Sequence, residues 1–127
     1  MSSLLKAFNN HLLEFLDDII RIFPNNLDIR TGKTFIESVK KVNPKSLILF
    51  WKESILDLYE NQIENGDTTF FLNKDYKYDL GEEGSNKAME VINDIKNLVK
   101  EASQINKNIA MKYIQNLTKL CKLYFNN

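Results

Sequence analysis

The sequence predicts an all-α protein, a compact bundle of five to six helices around one central hydrophobic helix at about residues 44–65. Apolar residues recur every three or four positions over most of the 127 residues, which is the period of one helix face. Both Pro and three of the four Gly lie at the ends of these segments or between them. Only residues 76–80 alternate as a strand would, and one strand without a partner is weak support for a sheet.

Length and composition predict a single helical domain over residues 1–127. The chain is 43% hydrophobic and 27% charged, which is typical of a globular protein. A chain of this size buries roughly two-thirds of its unfolded surface, so neither disulfides nor a metal is needed to hold it together. Cys121 is the only cysteine, and the lack of an internal disulfide favours a reducing intracellular compartment.

Helix one is expected to begin after a cap at Ser2 or Ser3 and to end at Phe23-Pro24. Its apolar residues follow the helical period, and a proline pushes the residue before it out of the α region. Polar residues interrupt the first apolar run and no small-residue cleavage site follows it. We therefore expect an amphipathic helix here and not a signal peptide. No segment of the chain reaches the roughly 18 apolar residues of a membrane span.

Helix two is expected from about Leu27 to Val42, with Asn26 as its cap. Both Leu27 and Val42 belong to its apolar residues. Thr31-Gly32 in the middle weakens the prediction, because a helical Gly costs about 1 kcal/mol relative to Ala. Residues 26–33 are therefore either part of the helix or a loop.

Helix three is the central one. Asn43 is predicted as its N-cap and Pro44 as its first residue, where the missing N–H costs nothing. Asn65-Gly66 supplies a left-handed C-terminal stop. The residues predicted to face the core are Leu47, Ile48, Trp51, Ile55, Leu58, Tyr59 and Ile63.

A short helix capped by Asp67 or Thr68 is predicted next, and it carries Phe70 and Phe71. The irregular acidic segment follows at about residues 73–85, with two Gly and no helical period. Ser85 is the predicted cap of a further helix.

The last helix is expected from about Gln104, with Ser103 as the break or cap before it. Its predicted inward residues are Ile109, Tyr113, Ile114, Leu117, Leu120, Cys121 and Tyr124.

No catalytic, cofactor-binding or metal-binding residue is predicted, and we expect a protein that is not an enzyme. The sequence Thr31-Gly32-Lys33-Thr34 lacks the upstream glycine and the strand of a phosphate-binding loop. One histidine, His11, and one cysteine leave no zinc site with the usual spacing. The carboxylates of Asp57, Glu60 and Glu64 share a helix face, which we interpret as solvated.

Aromatic residues are numerous for a small core, and this predicts either a partner-binding surface or a central helix buried on two sides. Phe50 and Trp51 are neighbours that point about 100° apart around helix three. The residues predicted to bind a protein partner, or a second copy of the chain, are Phe50, Trp51, Asp67, Phe70, Phe71, Tyr76 and Tyr78.

The charge distribution provides an alternative function. The chain is neutral, with 17 basic and 17 acidic residues, but residues 85–127 contain seven lysines and three acidic residues. Nucleic acid is therefore an alternative partner, although no Arg lies in this region and Arg dominates phosphate and base contacts. The residues expected to carry such binding are Lys96, Lys100, Lys107, Lys112, Lys119 and Lys122.

Four features together suggest a family: Phe23-Pro24, Asn43-Pro44, Phe-Trp-Lys-Glu at residues 50–53 and Gly-Asp-x-x-Phe-Phe at residues 66–71. With them the chain resembles, over most of its length, uncharacterised small helical proteins of large nucleocytoplasmic DNA viruses, the giant viruses. The resemblance implies a viral protein without enzymatic activity that acts through protein contacts in the host cytoplasm, at the virus factory or in the virion. A host-mimicking helical regulator, such as an apoptosis inhibitor, is a further alternative.

Overall fold

A computed structural model describes residues 2–73 and 87–126 of the chain, and within these residues all regular structure is helical. The prediction of an all-α bundle is confirmed. Helix α3 covers residues 46–64 and contains a π-helical turn, Lys52–Leu56, between α-helical segments Ser46–Trp51 and Asp57–Glu64. The other helices are α1 (Ser3–Ile22), α2 (Leu27–Val42), α4 (Thr68–Asn73), α5 (Lys87–Lys100) and α6 (Gln104–Phe125).

Four helices begin at side-chain caps that the sequence predicts. In each, the capping oxygen accepts a hydrogen bond from the backbone N–H three residues later, at 3.0 to 3.3 Å. The caps are Ser2, Asn26, Asp67 and Ser103. Gly66 ends α3 with φ of 65°, which confirms the predicted left-handed stop. The predicted cap Ser85 lies outside the described residues, as does the acidic segment after Asn73.

The prediction that Asn43 caps helix three and that Pro44 begins it is wrong. Asn43 ends α2, because its backbone N–H donates to the carbonyl of Val39 at 2.8 Å. A short turn follows before α3 begins at Ser46. The buried amide of Asn9 holds this turn against α1 by donating to the carbonyl of Pro44 at 3.0 Å.

Helix α2 runs without a break through Thr31-Gly32, so the alternative of a loop at residues 26–33 is wrong. A Cβ at Gly32 would lie 3.1 Å from the Cγ2 of Val91, and the glycine therefore lets α2 and α5 pack closely. Leu27 and Val42, at the two ends of α2, are exposed and do not belong to the core.

The π turn changes which residues of α3 face the core. Leu56 is 7% exposed and Leu58 is 54% exposed, so the prediction that Leu58 faces inward is wrong. A π turn contains one additional residue, which rotates the following side chains by about 100° relative to a regular helix. Tyr59 takes up part of the distortion with φ of −131° and ψ of 21°.

All six helices of the described residues contribute to one hydrophobic core. Helices α1 and α6 pack along each other, and α3 contacts α1, α2 and α6. On α6 the prediction for Ile109 is wrong: it is 42% exposed, and Ala110 and Met111 are buried in its place. The largest fully buried apolar side chains are Phe8, Leu16, Ile29, Ile48, Ile63, Met89 and Leu117.

Candidate binding pocket

A partly open cavity of about 60 Å³ lies where α3, α4, α5 and α6 meet, with α1 also contributing to its lining, and we call it the central pocket. Its surface is almost wholly apolar. Trp51, Ile55 and Phe71 form part of the wall, and Ile95 and Met111 face them from α5 and α6. Because these residues come from four helices, only the folded chain contains the pocket.

Trp51 is held in one position in the wall of the central pocket. Its side chain is 2% exposed, and its indole N–H donates to the Oγ1 of Thr118 at 3.0 Å. The Thr118 hydroxyl in turn donates to the carbonyl of Ile114 at 2.8 Å. The ring of Phe8 meets the indole edge to face, with 5.9 Å between the centroids. A wall fixed in this way is suited to a preformed binding site.

Helix α4 has six residues, which is too short for a helix to be stable by itself. Three aromatic rings hold it against α3: Tyr59 lies 5.8 Å from Phe70 and 5.9 Å from Phe71, and the last two are 5.2 Å apart. Such pairs contribute about 0.5–1.5 kcal/mol each beyond the area they bury. The distorted end of α3 therefore places α4 beside the central pocket.

Two lysines line the central pocket, Lys96 from α5 and Lys107 from α6, and both are half-buried. Lys100 is exposed one helical turn after Lys96, on the same side of α5. Among the described residues, no carboxylate lines the central pocket. Within residues 2–73 and 87–126 no ion pair to Lys107 is found. Lys107 therefore brings a positive charge to the edge of the apolar pocket.

The seven residues predicted to bind a partner differ in their burial and in whether they line the central pocket. Trp51 and Phe71, which is 6% exposed, line the pocket as buried wall residues. Phe50 and Phe70 are half-buried, and Asp67 is exposed while its carboxylate caps α4. Tyr76 and Tyr78 lie outside the described residues.

The lysines predicted to bind nucleic acid do not share one surface. Lys112 and Lys119 are exposed on α6 and do not line the central pocket. Lys122 pairs with Glu60 at 3.0 Å and with Glu64 at 3.5 Å. The hydrogen bond from Lys122 to Glu60 raises the pKa of this lysine. Acidic groups of α3 therefore interrupt the basic surface at this end of α6.

A second group of polar residues joins α1 to α6. The hydroxyl of Tyr113 donates a hydrogen bond to Asp18, and its ring stacks on Phe15 with 4.9 Å between the centroids. Burial, together with the Asp18 contact, raises the pKa of Tyr113 to about 12. His11 lies beside Tyr113, with 4.8 Å between the ring centroids, and its Nδ1 is 3.6 Å from the Oε2 of Glu14. We interpret the group as part of the packing between the two helices.

Cys121 lies in the core of the bundle. It is 0% exposed, and its thiol donates to the carbonyl of Ile48 at 3.5 Å. Burial raises the pKa of Cys121 to about 12, and the thiolate is the reactive form of cysteine. Cys121 is therefore an inert core residue at neutral pH.

In the part of the chain that the structure describes, no cluster of three or more metal-ligating side chains is present. Nor is any helix of this part long and apolar enough to cross a bilayer. Comparisons with protein-family models, with curated proteins and with solved structures found no match.

Sequence reasoning missed most of the central pocket. Ile92, Ile95 and Met111 occur in ordinary apolar helix patterns, which do not distinguish a pocket wall from a packed core. The one local signal was Gly66–Phe71, where the predicted short helix with two adjacent aromatic residues marks the side of the pocket that α4 provides.

Proposed function

We propose that the protein is a non-enzymatic helical interaction module, and that the central pocket receives an aliphatic side chain of a protein partner. The observation that carries the proposal is the pocket itself, a preformed apolar cavity lined by residues of five helices. An apolar cavity of about 150 Å³ can hold benzene. A cavity of about 60 Å³ is therefore matched to a smaller group, such as the branched end of a Leu, Ile or Val side chain.

Protein interfaces commonly depend on one or a few side chains that fill such pockets. Burying one aliphatic side chain contributes about 1.5–3 kcal/mol, which corresponds to roughly ten- to a hundredfold in affinity. The hydrogen bond between Trp51 and Thr118 keeps the wall in place before binding, so little ordering cost arises when the partner arrives.

Phe70 lies on α4, which borders the central pocket, and Asp67 caps this helix. We propose that both contact the partner outside the pocket. Phe50 is a further candidate because its ring is half-buried. For the biological setting we propose a viral protein in the host cytoplasm, at the virus factory or in the virion, and this setting follows from the resemblance described above.

A protein partner is favoured over nucleic acid by the positions of the aromatic residues. Single-stranded nucleic acid is bound largely by stacking bases on accessible aromatic rings. Three aromatic residues line the central pocket with Lys96 and Lys107, and all three are buried as wall residues: Phe15, Trp51 and Phe71. An aliphatic side chain fits this opening, whereas the described aromatic residues that line it offer a base no exposed ring.

Affinity capture from virus-infected cells tests the proposal if it includes a variant with a filled pocket. Ala110 is buried and lines the central pocket, so Ala110→Leu fills it. Ala7→Leu makes the same change at an exposed position of α1 and is the matched control. Circular dichroism and thermal melting establish that both variants fold.

We expect a set of proteins that the wild type and Ala7→Leu capture and that Ala110→Leu loses. If the captured proteins are the same for all three chains, the central pocket is not the interaction site. If Ala110→Leu is too unstable to use, Ile92→Phe narrows the pocket from a half-buried position on α5.

A further inference from the structure

We propose that one end of the helical bundle binds the surface of an anionic lipid membrane, where its apolar side chains enter the lipid and its lysines contact the headgroups. We call this surface the lysine-rich end, and it consists of Lys6, Lys41, Val42, Lys45, Leu49 and Phe125. The inference goes beyond the proposed function and concerns a different surface from the central pocket. Binding of this kind needs no helix that crosses the bilayer.

The lysine-rich end lies where α1 begins, α2 turns into α3 and α6 ends. A shallow cavity brings these parts together, since its lining includes Leu5, Pro44 and Tyr124. Phe125 is the last residue of α6, and the ammonium group of Lys52 from α3 lies over its ring, 5.7 Å from the centroid. Four helices therefore contribute to one surface.

Three exposed lysines surround the turn between α2 and α3. Lys41 and Lys45 lie on the two sides of this turn. Lys6 lies one helical turn before Asn10 on the same side of α1, and the side chain of Asn10 accepts a hydrogen bond from Lys40 of α2 at 3.2 Å. Within the described residues, none of the three exposed lysines forms an ion pair.

The positive charge of this end follows from the segments that form it, which are residues 2–13, 38–52 and 116–126. Together these segments contain seven Lys and no Asp or Glu. Acidic residues of the second half of α3 reach part of the region. Asp57 pairs with Lys52 at 3.0 Å, and Glu60 pairs with Lys122 at 3.0 Å. The lysines around the turn lie beyond these pairs and carry the exposed charge.

Three apolar side chains are exposed beside these lysines. Val42 is 87% exposed, Leu49 45% and Phe125 37%. Leu49 lies one helical turn after Lys45 and one turn before Lys52, the residue that contacts the Phe125 ring. Exposed large apolar side chains next to lysines are typical of proteins that lie in the membrane interface, where the two contributions to binding add.

A lipid surface fits these features better than other occupants do. A protein partner would need a recess for each of the three exposed apolar side chains, none of which lines the cavity at the turn. A second copy of the chain would bring like charges together. Nucleic acid would satisfy the lysines through its phosphates but would leave Val42 and Leu49 in water. A membrane offers anionic headgroups and an apolar interior at the same surface.

Flotation of the full-length protein with lipid vesicles tests the inference. Vesicles of phosphatidylcholine alone are compared with vesicles that contain about one-third phosphatidylserine. We expect the anionic vesicles to bind at least tenfold more tightly, because each lysine near an anionic surface contributes about fivefold in affinity. Binding should weaken as salt is added, since salt screens the charges of exposed lysines.

Two double variants with equal charge changes separate these lysines from others. Lys41→Gln with Lys45→Gln removes charge from the lysine-rich end, and Lys100→Gln with Lys112→Gln removes it from exposed positions of α5 and α6. We expect the first pair to weaken binding to the anionic vesicles roughly tenfold or more and the second less than threefold. Circular dichroism establishes that both variants fold.

An environment-sensitive dye reports whether the apolar side chains enter the lipid. The dye is attached to Val42→Cys and, as the matched control, to Leu27→Cys, both in the Cys121→Ser background. Val42 and Leu27 are strongly exposed and lie at opposite ends of α2. With anionic vesicles we expect the emission of the dye at position 42 to shift to the blue and that of the dye at position 27 to stay unchanged.

Four results would overturn the inference. Equal or absent binding to the two kinds of vesicle would exclude an anionic membrane surface. An equal loss of binding in the two double variants would place the contact elsewhere, and an unchanged emission at position 42 would show that this end does not enter the lipid. Tighter binding to a single-stranded oligonucleotide than to anionic vesicles would favour nucleic acid. The proposed function stands in each case, because capture through the central pocket is measured separately.

Discussion

The hydrogen bond between Trp51 and Thr118 connects α3 to α6 in the wall of the central pocket, and Thr118→Val tests its contribution to stability. The substitution keeps the shape of the side chain and removes the hydroxyl that accepts from the indole N–H at 3.0 Å. Both side chains are buried, with Trp51 2% and Thr118 4% exposed. Water therefore cannot replace the lost acceptor.

A buried donor that loses its partner costs about 1–3 kcal/mol of folding free energy. With an unfolding entropy of about 2.1 cal/mol/K per residue, a chain of 127 residues loses roughly 4 °C in Tm per kcal/mol. We therefore expect Thr118→Val to lower the Tm by about 4–11 °C.

Thr34→Val is the matched control. Thr34 is exposed on α2, and its hydroxyl donates to the carbonyl four residues earlier at 3.1 Å, as that of Thr118 does at 2.8 Å. Each substitution thus removes a hydrogen bond from a threonine hydroxyl to a carbonyl of its own helix. Only Thr118→Val also removes the acceptor of the Trp51 indole N–H. We expect Thr34→Val to stay within about 0.5 kcal/mol of the wild type.

Urea unfolding followed by circular dichroism gives the two free energies, and the emission of Trp51, the only Trp of the chain, reports on the site itself. We expect Thr118→Val to shift the emission of the folded protein, because the indole loses its acceptor. Equal stability of Thr118→Val and Thr34→Val, with unchanged emission, would refute the reasoning.

Three further predictions concern the core. The pKa of Tyr113 is raised to about 12 from 10.0, so the stability that its protonated form contributes is complete below pH 10 and declines as the pH rises towards 12. Tyr113→Phe should remove this part of the pH dependence when the free energy of unfolding is measured by urea titration at several pH values. An equal dependence of that free energy on pH in the wild type and in Tyr113→Phe would contradict the prediction. Leu56→Ala should cost about 2–5 kcal/mol and Leu58→Ala less than about 0.5 kcal/mol, and the reverse order in chemical unfolding would contradict the effect of the π turn. Cys121 should react with a thiol reagent at pH 8 only after unfolding, whereas Leu123→Cys in a Cys121→Ser background should react in the folded state; fast native labelling of Cys121 would contradict its burial.

The candidate site shows which of its features the sequence could predict and which it could not. Asp67, Gly66 and the two adjacent Phe residues indicated that the chain turns and re-enters the core at α4. Position in the sequence could not show that Phe71 lines one cavity with Ile95 and Met111, because this arrangement depends on how α4, α5 and α6 pack. The lysines were visible as a basic region, but their division between the central pocket, the exposed surface and the ion pairs with Glu60 and Glu64 was not.

The sequence by itself determined the helices and most of their ends. Caps such as Ser2 and Ser103 act on a backbone N–H three residues away, and the left-handed turn at Gly66 depends on that residue alone. Such interactions are local, so a local pattern predicts them. Because the signals are local, the predicted bounds of α2 agree with the observed bounds, Leu27–Val42.

Only the tertiary structure decided the π turn, the exposure of Leu58 and Ile109, and the central pocket. Close packing requires each helix to fit several neighbours at once, and α3 meets this requirement with an additional residue in one turn. No periodicity in the sequence contains that information, because the cause lies in residues distant along the chain. The pocket is the space that this packing leaves open between helices that the sequence does specify.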